Sequence, residues 1–361
     1  MTRAIIGQNV LKGRGALSNP QGRFDRTGLE AVDDGWYQEE APDSVATSVQ
    51  PDRARGVIST NDSPDIGFDQ SINPYRGCEH GCIYCYARPS HSYMGLSPGI
   101  DFETKLFYKA DAATVLESEL ARPRYVCKPI MLGANTDPYQ PVERRLEVTR
   151  SILKVLADCH HPVTIVTKGV LIARDLDILT TMAREQLVSV AVSLTTLDAE
   201  TKRTLEPRAA SPQARLKTIR MLADAGVPVR VMVAPVVPAI TDHETESILG
   251  AAAAAGAVAA SYVLLRLPYE VKDLFREWLA QHYPERAQHV MSLVRDARGG
   301  RDNDPNFGTR MRGTGAYAEL IRARFKVASR KLGLNAERSR ALDTTLFRPP
   351  RAGSPQLQLE L

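Results

Sequence analysis

Five short apolar runs recur between residues 129 and 267, and a stretch of helical period separates each from the next. The runs are PIMLGA (129–134), PVTIVT (162–167), LVSVAVSL (187–194), PVRVMVAP (228–235) and SYVLLRL (261–267). Between the first two lies ERRLEVTRSILKVLADC, which places Leu146, Thr149, Ile152, Leu153 and Leu156 on one helical face. Another stretch, QARLKTIRMLADAG, ends at Gly226, a residue suited to the left-handed position that closes a helix. Strand–helix repetition of this kind means a parallel sheet covered by helices. With a further strand expected near 68–75, the count suits a full or partial α/β barrel. Functional residues then gather at the C-terminal ends of the strands.

The repeat occupies residues 66–267. Residues 1–65 follow neither period and mix Gly, Pro, Asp and Arg, so an extended arm is expected there. Its first 26 residues carry Arg3, Lys12, Arg14, Arg23 and Arg26 against Asp25, and an acidic stretch from Glu30 to Asp43 follows. Residues 268–345 read as a helical region. Leu274, Phe275, Trp278 and Leu279 share one face, and Tyr317, Leu320, Ile321, Phe325 and Ala328 share another. An Arg/Gly-rich loop, RDARGGRDNDPNFGTRMRGTG, separates the two faces, and residues 346–361 are expected to form a flexible tail.

A chain of 361 residues buries a sizeable core without disulfide staples, and five cysteines are too few and too clustered for a secreted disulfide framework. The first fifteen residues show no secretory signal, and the alanine-rich run at 249–260 is too short to span a bilayer. A cytoplasmic protein with reduced thiols and no membrane partner is expected. The net charge of +4 is a mild bias towards anionic partners and does not by itself show nucleic-acid binding.

Three of the cysteines, Cys78, Cys82 and Cys85, stand within eight positions in NPYRGCEHGCIYCYA (73–87). Soft thiolates at CxxxCxxC spacing suit an iron–sulfur cluster or zinc. A closed structural zinc site takes four protein ligands, and no fourth stands at an obvious spacing. Cys127 and Cys159 are isolated, His80 lies inside the loop and His91 follows it. Three thiolates on a [4Fe–4S] cluster leave one iron open to a ligand, and the cluster then performs the chemistry.

This motif, with Tyr84 just before the third cysteine, resembles the signature of the radical S-adenosylmethionine (SAM) superfamily. The resemblance implies a partial (β/α)6 TIM-type barrel, with the cysteine loop following the first strand. It implies that Cys78, Cys82 and Cys85 hold a [4Fe–4S] cluster whose open iron binds the amino and carboxylate groups of SAM. One-electron cleavage then yields a 5′-deoxyadenosyl radical that abstracts hydrogen, and an electron donor such as flavodoxin or ferredoxin is needed. Tyr84 becomes the aromatic near the adenine. Where the superfamily often has a Gly-Gly-Glu motif, this chain has GANTDPYQPVE, so Asn135, Thr136 and Asp137 are the candidate contacts to the SAM amino group, although such a run also suits an ordinary turn. Ser193 takes the place of a ribose contact at the end of the fourth strand. Arg208, in LEPRAASPQARL, is the candidate for the SAM carboxylate, its alternative being a surface ion pair with Glu206. Lys168, ending TIVTKG, points to the same mouth, towards substrate or solvent.

SINPYRGCEHGCIYCYARPSH, LGANTDPYQPVE, VSLTTLD, EPRAASPQARL and VMVAPVVPAITD together resemble the spore photoproduct lyase-like branch, and KGRGALSNPQGRF and MRGTGAYAELI resemble a bacterial subgroup of it. That branch implies DNA repair or nucleic-acid base chemistry. One departure stands out. Spore photoproduct lyase places a hydrogen-donating cysteine where Asn135 stands here, and an amide does not donate a hydrogen atom in that way, so the lesion-repair route does not carry over. Arg295, Arg298, Arg301, Arg310 and Arg312 could pair with phosphates, but Asp296, Asp302 and Asp304 interleave and no aromatic stacking array stands out. Two further functions fit the same residues: radical SAM chemistry on a protein or small molecule, and a non-catalytic metal- or cluster-binding adaptor. The terminal QLQLEL (356–361) is similar to the peptide with which bacterial repair proteins bind the sliding clamp, with Glu360 standing where that peptide favours an aromatic.

Overall fold

The computed structural model describes residues 11–25, 44–336 and 341–350. Among these residues ten strands form two sheets: β1 Ser48–Pro51, β2 Ile58–Thr60, β3 Gln70–Ile72, β4 Tyr75–Arg76, β5 Lys105–Tyr108, β6 Ile130–Leu132, β7 Val163–Thr167, β8 Val188–Ser193, β9 Val229–Val236 and β10 Ala259–Leu264. The larger sheet runs β10-β9-β8-β7-β6-β3-β2. Its six members from β3 to β10 pair in parallel, and β2 lies antiparallel on the β3 edge. The sheet does not close, because β2 and β10 stand at opposite ends of the order. This is a partial (β/α)6 barrel. The smaller sheet, β1-β5-β4, lies beside the cysteine loop.

The apolar runs become strands because β-branched residues alternate between the core and the covering helices. Val163, Ile165, Val188, Val190, Val229 and Val231 are buried in one continuous core with Ile152, Leu156, Ile219 and Leu222 from those helices. The exposed edge of β10 is blocked. Asn335, held at a positive φ, exchanges two 3.0 Å side-chain hydrogen bonds with the Ala260 backbone, and Leu264 N donates to the Met311 carbonyl.

Three local expectations change. The stretch 143–159 is two helices, Glu143–Leu146 and Val148–Asp158, broken at Glu147 with φ +52°. The buried Glu143 carboxylate causes the break by accepting from the Thr149 N–H at 2.9 Å, which caps the second helix. Leu320 faces solvent and does not join Ile321, Phe325 and Ala328 in the core. Of the presumed tail, Phe347 packs against Tyr125 and His161, and Arg348 N donates to the Cys159 carbonyl. The acidic stretch from Glu30 to Asp43 and QLQLEL lie outside the described residues. Gly226 does follow the helix Pro212–Asp224 at φ +76°.

The described part of the extended first segment is tied to the barrel. Gly15 N and Ala16 N donate to Glu103 at 2.9 and 2.8 Å, and Arg14 donates to the Glu103 carbonyl at 3.0 Å. No helix among the described residues is long and apolar enough to cross a membrane.

Candidate active site at the barrel mouth

The cysteine loop follows β3 and the short β4, and it turns through two positions that require glycine. Gly77 has φ +76°, and a Cβ there would meet the Phe102 carbonyl at 2.9 Å; Gly81 has φ +66° and would meet Glu103 at 2.7 Å. Backbone hydrogen bonds tie the loop to its surroundings. Cys78 N donates to Phe102 O at 2.9 Å, and Ile83 N donates to Leu205 O at 3.1 Å. Gln140 clasps the loop from both sides, accepting from Glu79 N and donating to Gly77 O. The wholly buried Arg88 donates to the carbonyls of Gly81 and Cys82 and pairs with Glu103 at 2.5 Å. The thiols therefore sit on a rigid frame.

All five cysteines are free. Burial pushes the Cys78 thiol well above its ordinary range, with Asp137 adding to the effect. Burial also drives Cys82 up to about 12, against the opposing pull of Lys168. Such thiols become thiolates only when a metal supplies the missing positive charge. Among the described residues, no group of three His, Cys, Asp or Glu side chains converges as a single-ion site would require. A cubane makes a different demand, because it ties each thiolate to its own iron.

Tyr84 is buried, and its hydroxyl donates to Glu206 and lies 3.2 Å from Thr195 Oγ1. Glu206 also accepts from Thr195 at 2.8 Å and from the buried Arg215. Burial alone would raise the Glu206 carboxyl; Arg215 and Lys168 hold it at about 2. Arg215 in turn donates to the Ser193 carbonyl at 3.0 Å, so the network locks the end of β8 to the cysteine loop. The alternative pairing of Arg208 with Glu206 is thereby corrected: Arg215 takes Glu206, and Arg208 lies 3.2 Å from Glu79. Lys168 holds its ammonium 5.8 Å from the centre of the Tyr84 ring. Burial opposes its charge, but Cys82 and Glu206 outweigh that and raise its pKa.

At the end of β6 the three candidates differ. Asp137 is committed: it accepts from Thr167 Oγ1 at 2.6 Å and Lys168 N at 2.7 Å, and it faces His80 at 3.2 Å. Burial would raise its carboxyl, yet His80, Thr167 and Lys168 N–H hold it at about 2. Thr136 is committed as well, donating its hydroxyl to Tyr75 O. Asn135 uses only its backbone N–H, towards Asn73, and its side-chain amide makes no hydrogen bond among the described residues. Ser193 Oγ donates to Ala234 O at 3.1 Å and keeps acceptor capacity. Sequence reasoning missed Arg215 as the partner of the site. Its signal was an arginine on the apolar face shared by Ile219 and Leu222.

The model of the radical SAM superfamily matches residues 72–252, from the end of β3 to the helix before β10. The chain belongs to the radical SAM superfamily. The superfamily works with a [4Fe–4S] cluster and SAM, and three free thiols on a frame of this kind fit the cluster. An uncharacterised protein of Mycobacterium tuberculosis (strain ATCC 25618 / H37Rv) is 42% identical over 232 residues, which is 64% of this chain and 68% of that protein. An uncharacterised protein of Methanocaldococcus jannaschii is 26% identical over 224 residues, 61% of this chain and 78% of that one. A solved variant of spore photoproduct lyase with bound AdoMet and dinucleoside spore photoproduct superposes with a TM-score of 0.56 at 15% identity, covering 79% of this chain and 80% of its own. That last likeness is one of fold.

Proposed function

We propose that this chain holds a [4Fe–4S] cluster on Cys78, Cys82 and Cys85, binds SAM beside it, and abstracts hydrogen from a nucleic-acid base or lesion. The observation that carries the reading is the placement of three free thiols on one braced loop just beyond the C-terminal end of β3 and the short β4, in a superfamily whose barrel mouth is the working end. When bound, the cluster and SAM supply hydrogen-abstracting radical chemistry. The nucleic-acid part is supported by the shared fold with an enzyme solved together with a dinucleoside photoproduct.

The chain's own residues bind and orient. Tyr84, fixed by Glu206 and Thr195, presents a ring that does not turn and suits an adenine. The spare amide of Asn135 and the acceptor capacity of Ser193 face the ligand from β6 and β8. Arg208, only weakly held by Glu79, is available to a carboxylate. Cys127 precedes β6 and so lies at the far end of the strands, which leaves it no part as a hydrogen donor at the mouth.

Anaerobic reconstitution with iron and sulfide, followed by reductant and SAM, tests the cofactor reading. Four irons per chain and 5′-deoxyadenosine are expected, and the triple Cys→Ala variant at 78, 82 and 85 should give neither. A full four-iron complement in that variant would refute the assignment. An electron donor of the flavodoxin or ferredoxin class should replace the chemical reductant. Mass spectrometry of nucleic acid and metabolites from cells with and without the protein tests the substrate. A change confined to a protein or small molecule would move the activity to that class.

A further inference from the structure

Large exposed aromatic rings are informative when they gather, and here they gather at the mouth. Phe24, Tyr86, Tyr93 and Tyr269 are each 50–72% exposed. They come from segments far apart in sequence. Tyr86 and Tyr93 follow the cysteines, Tyr269 follows β10, and Phe24 belongs to the first segment. Arg23 stands at the centre of three of them. Its guanidinium carbon is 4.8 Å from the ring centre of Phe24, 5.2 Å from Tyr93 and 4.1 Å from Tyr269. Arg266, at the end of β10, lies 5.8 Å from the ring of Tyr86, whose hydroxyl donates to Ala134 O and so fixes the ring at the rim.

Arg266 has no counter-charge of its own among the described residues. Its buried Nε has no partner, and Nη1 reaches only the Met311 sulfur at 3.4 Å. The two nearby carboxylates are already taken. Asp65 pairs with Arg310 at 2.6 Å, and Asp304 accepts from Thr309 at 2.5 Å and from Asn306 N at 2.9 Å. A cation kept free beside exposed rings is a place for an anion attached to flat groups. Phosphodiester-linked bases have that chemistry: the bases stack on rings and guanidinium planes, and the phosphate pairs with the free arginine. Only two residues lie between Arg266 and Tyr269, three chain steps with a reach of at most about 11 Å, so the two halves form one continuous rim.

We propose that Arg266 with Tyr86, and Arg23 with Phe24, Tyr93 and Tyr269, form a track for single-stranded nucleic acid that leads the target base to the mouth. Stacking on exposed rings needs unpaired bases, so the track selects single strands over duplex. The inference rests on the nucleic-acid reading above, and it can fail while that reading survives.

Fluorescence anisotropy of a labelled single-stranded oligonucleotide and its duplex, added to the cluster-loaded full chain, tests it. The single strand should bind more tightly than the duplex. The variant Tyr93→Ala/Tyr269→Ala should weaken binding tenfold or more, from the worth of base–aromatic stacking, and Tyr93→Phe/Tyr269→Phe should restore it. Arg266→Ala should flatten the dependence of log affinity on log salt by about 0.7, one phosphate's share. If the alanine variants bind as tightly as the parent, the track is wrong and the nucleic-acid reading stands. If the parent binds no oligonucleotide, or this face takes up only a protein, both are overturned.

Discussion

Gly15 approaches Gly81 so closely that a Cβ on Gly15 would stand 1.9 Å from the Gly81 carbonyl oxygen. The two residues are far apart in sequence, yet they meet inside the loop that carries the cysteines. Glu103 explains why. Its carboxylate accepts from Gly15 N and Ala16 N on one side and from Arg88 on the other, while Arg88 holds the carbonyls of Gly81 and Cys82. The first segment is thus a clamp on the cysteine loop, and the clamp closes only where one residue has no side chain.

Gly15→Ala should therefore disturb the loop before it disturbs the barrel. Relieving the overlap requires a backbone shift, at a cost of about 1–3 kcal/mol, typical of overpacking. Denaturant titration should show that loss, and iron bound after anaerobic reconstitution should fall with it. Unchanged stability and iron content would show that the segment lifts away freely.

Cys127 and Cys159 should be dispensable for the chemistry. Burial raises both thiols to about 11, so neither is a thiolate at neutral pH. Cys127 precedes β6, and Cys159 ends the helix before β7, which sets both at the strand ends opposite the mouth. The double alanine variant should keep its iron and its yield of 5′-deoxyadenosine, at a stability cost of about 1 kcal/mol. Loss of turnover in a folded, iron-loaded double variant would give one of them a part in the reaction.

Arg208 and Arg215 should separate binding from folding. Arg215 pairs with Glu206 where both are buried, so Arg215→Met strands a carboxylate in the core and should cost about 3–5 kcal/mol. Arg208 is 38% exposed, and its pair with Glu79 should contribute at most about 1 kcal/mol. If it holds the SAM carboxylate, Arg208→Leu should weaken SAM binding by about 1.5–3 kcal/mol with stability nearly unchanged. Calorimetric titration with SAM and denaturant titration read the two effects independently. Equal SAM affinity in Arg208→Leu would leave the residue with only its surface pair.

What could be read from the sequence was what is local. The period of Val163, Ile165, Val188 and Val190 announces strands, and the spacing of Cys78, Cys82 and Cys85 announces a ligand loop. Both signals lie within a few residues. The contacts of Gly15 with Gly81, Glu206 with Arg215, and Arg23 with Tyr269 do not, because each depends on how the barrel brings distant segments together. The break at Glu147 was hidden for a related reason. Leucine spacing continues through it, and only the buried Glu143 carboxylate, capping Thr149, reveals two helices.

Stability should also fall between neutral and mildly acid pH, and His161 should be one cause. The ring is buried against Tyr125 and Phe347, with Nδ1 3.0 Å from the Pro162 carbonyl and Nε2 2.7 Å from the Tyr125 hydroxyl. Burial lowers its pKa to about 4, with the Pro162 carbonyl opposing. His91, buried beside Phe102, is lowered to about 4 by the same cause. An unfolded histidine titrates near 6.5. Between about 6.5 and 4 the unfolded chain binds more protons than the folded one, so stability rises with pH across that window. It is fully present above 6.5 and is lost as pH falls towards 4. Each ring should contribute a loss of about 2 kcal/mol between pH 7 and pH 5. Asp137 and Glu206, held at about 2, act mainly at lower pH, whereas His282, lowered by burial, adds to the loss and Glu277, raised by burial, opposes it. His161→Gln removes one titrating ring, so denaturant titrations at pH 7 and pH 5 should show a loss smaller than the parent's by about 2 kcal/mol. Comparing variant with parent at each pH cancels any acid lability of the cluster. An identical pH 7 to pH 5 loss in both proteins would show that His161 is protonated as readily in the fold as outside it.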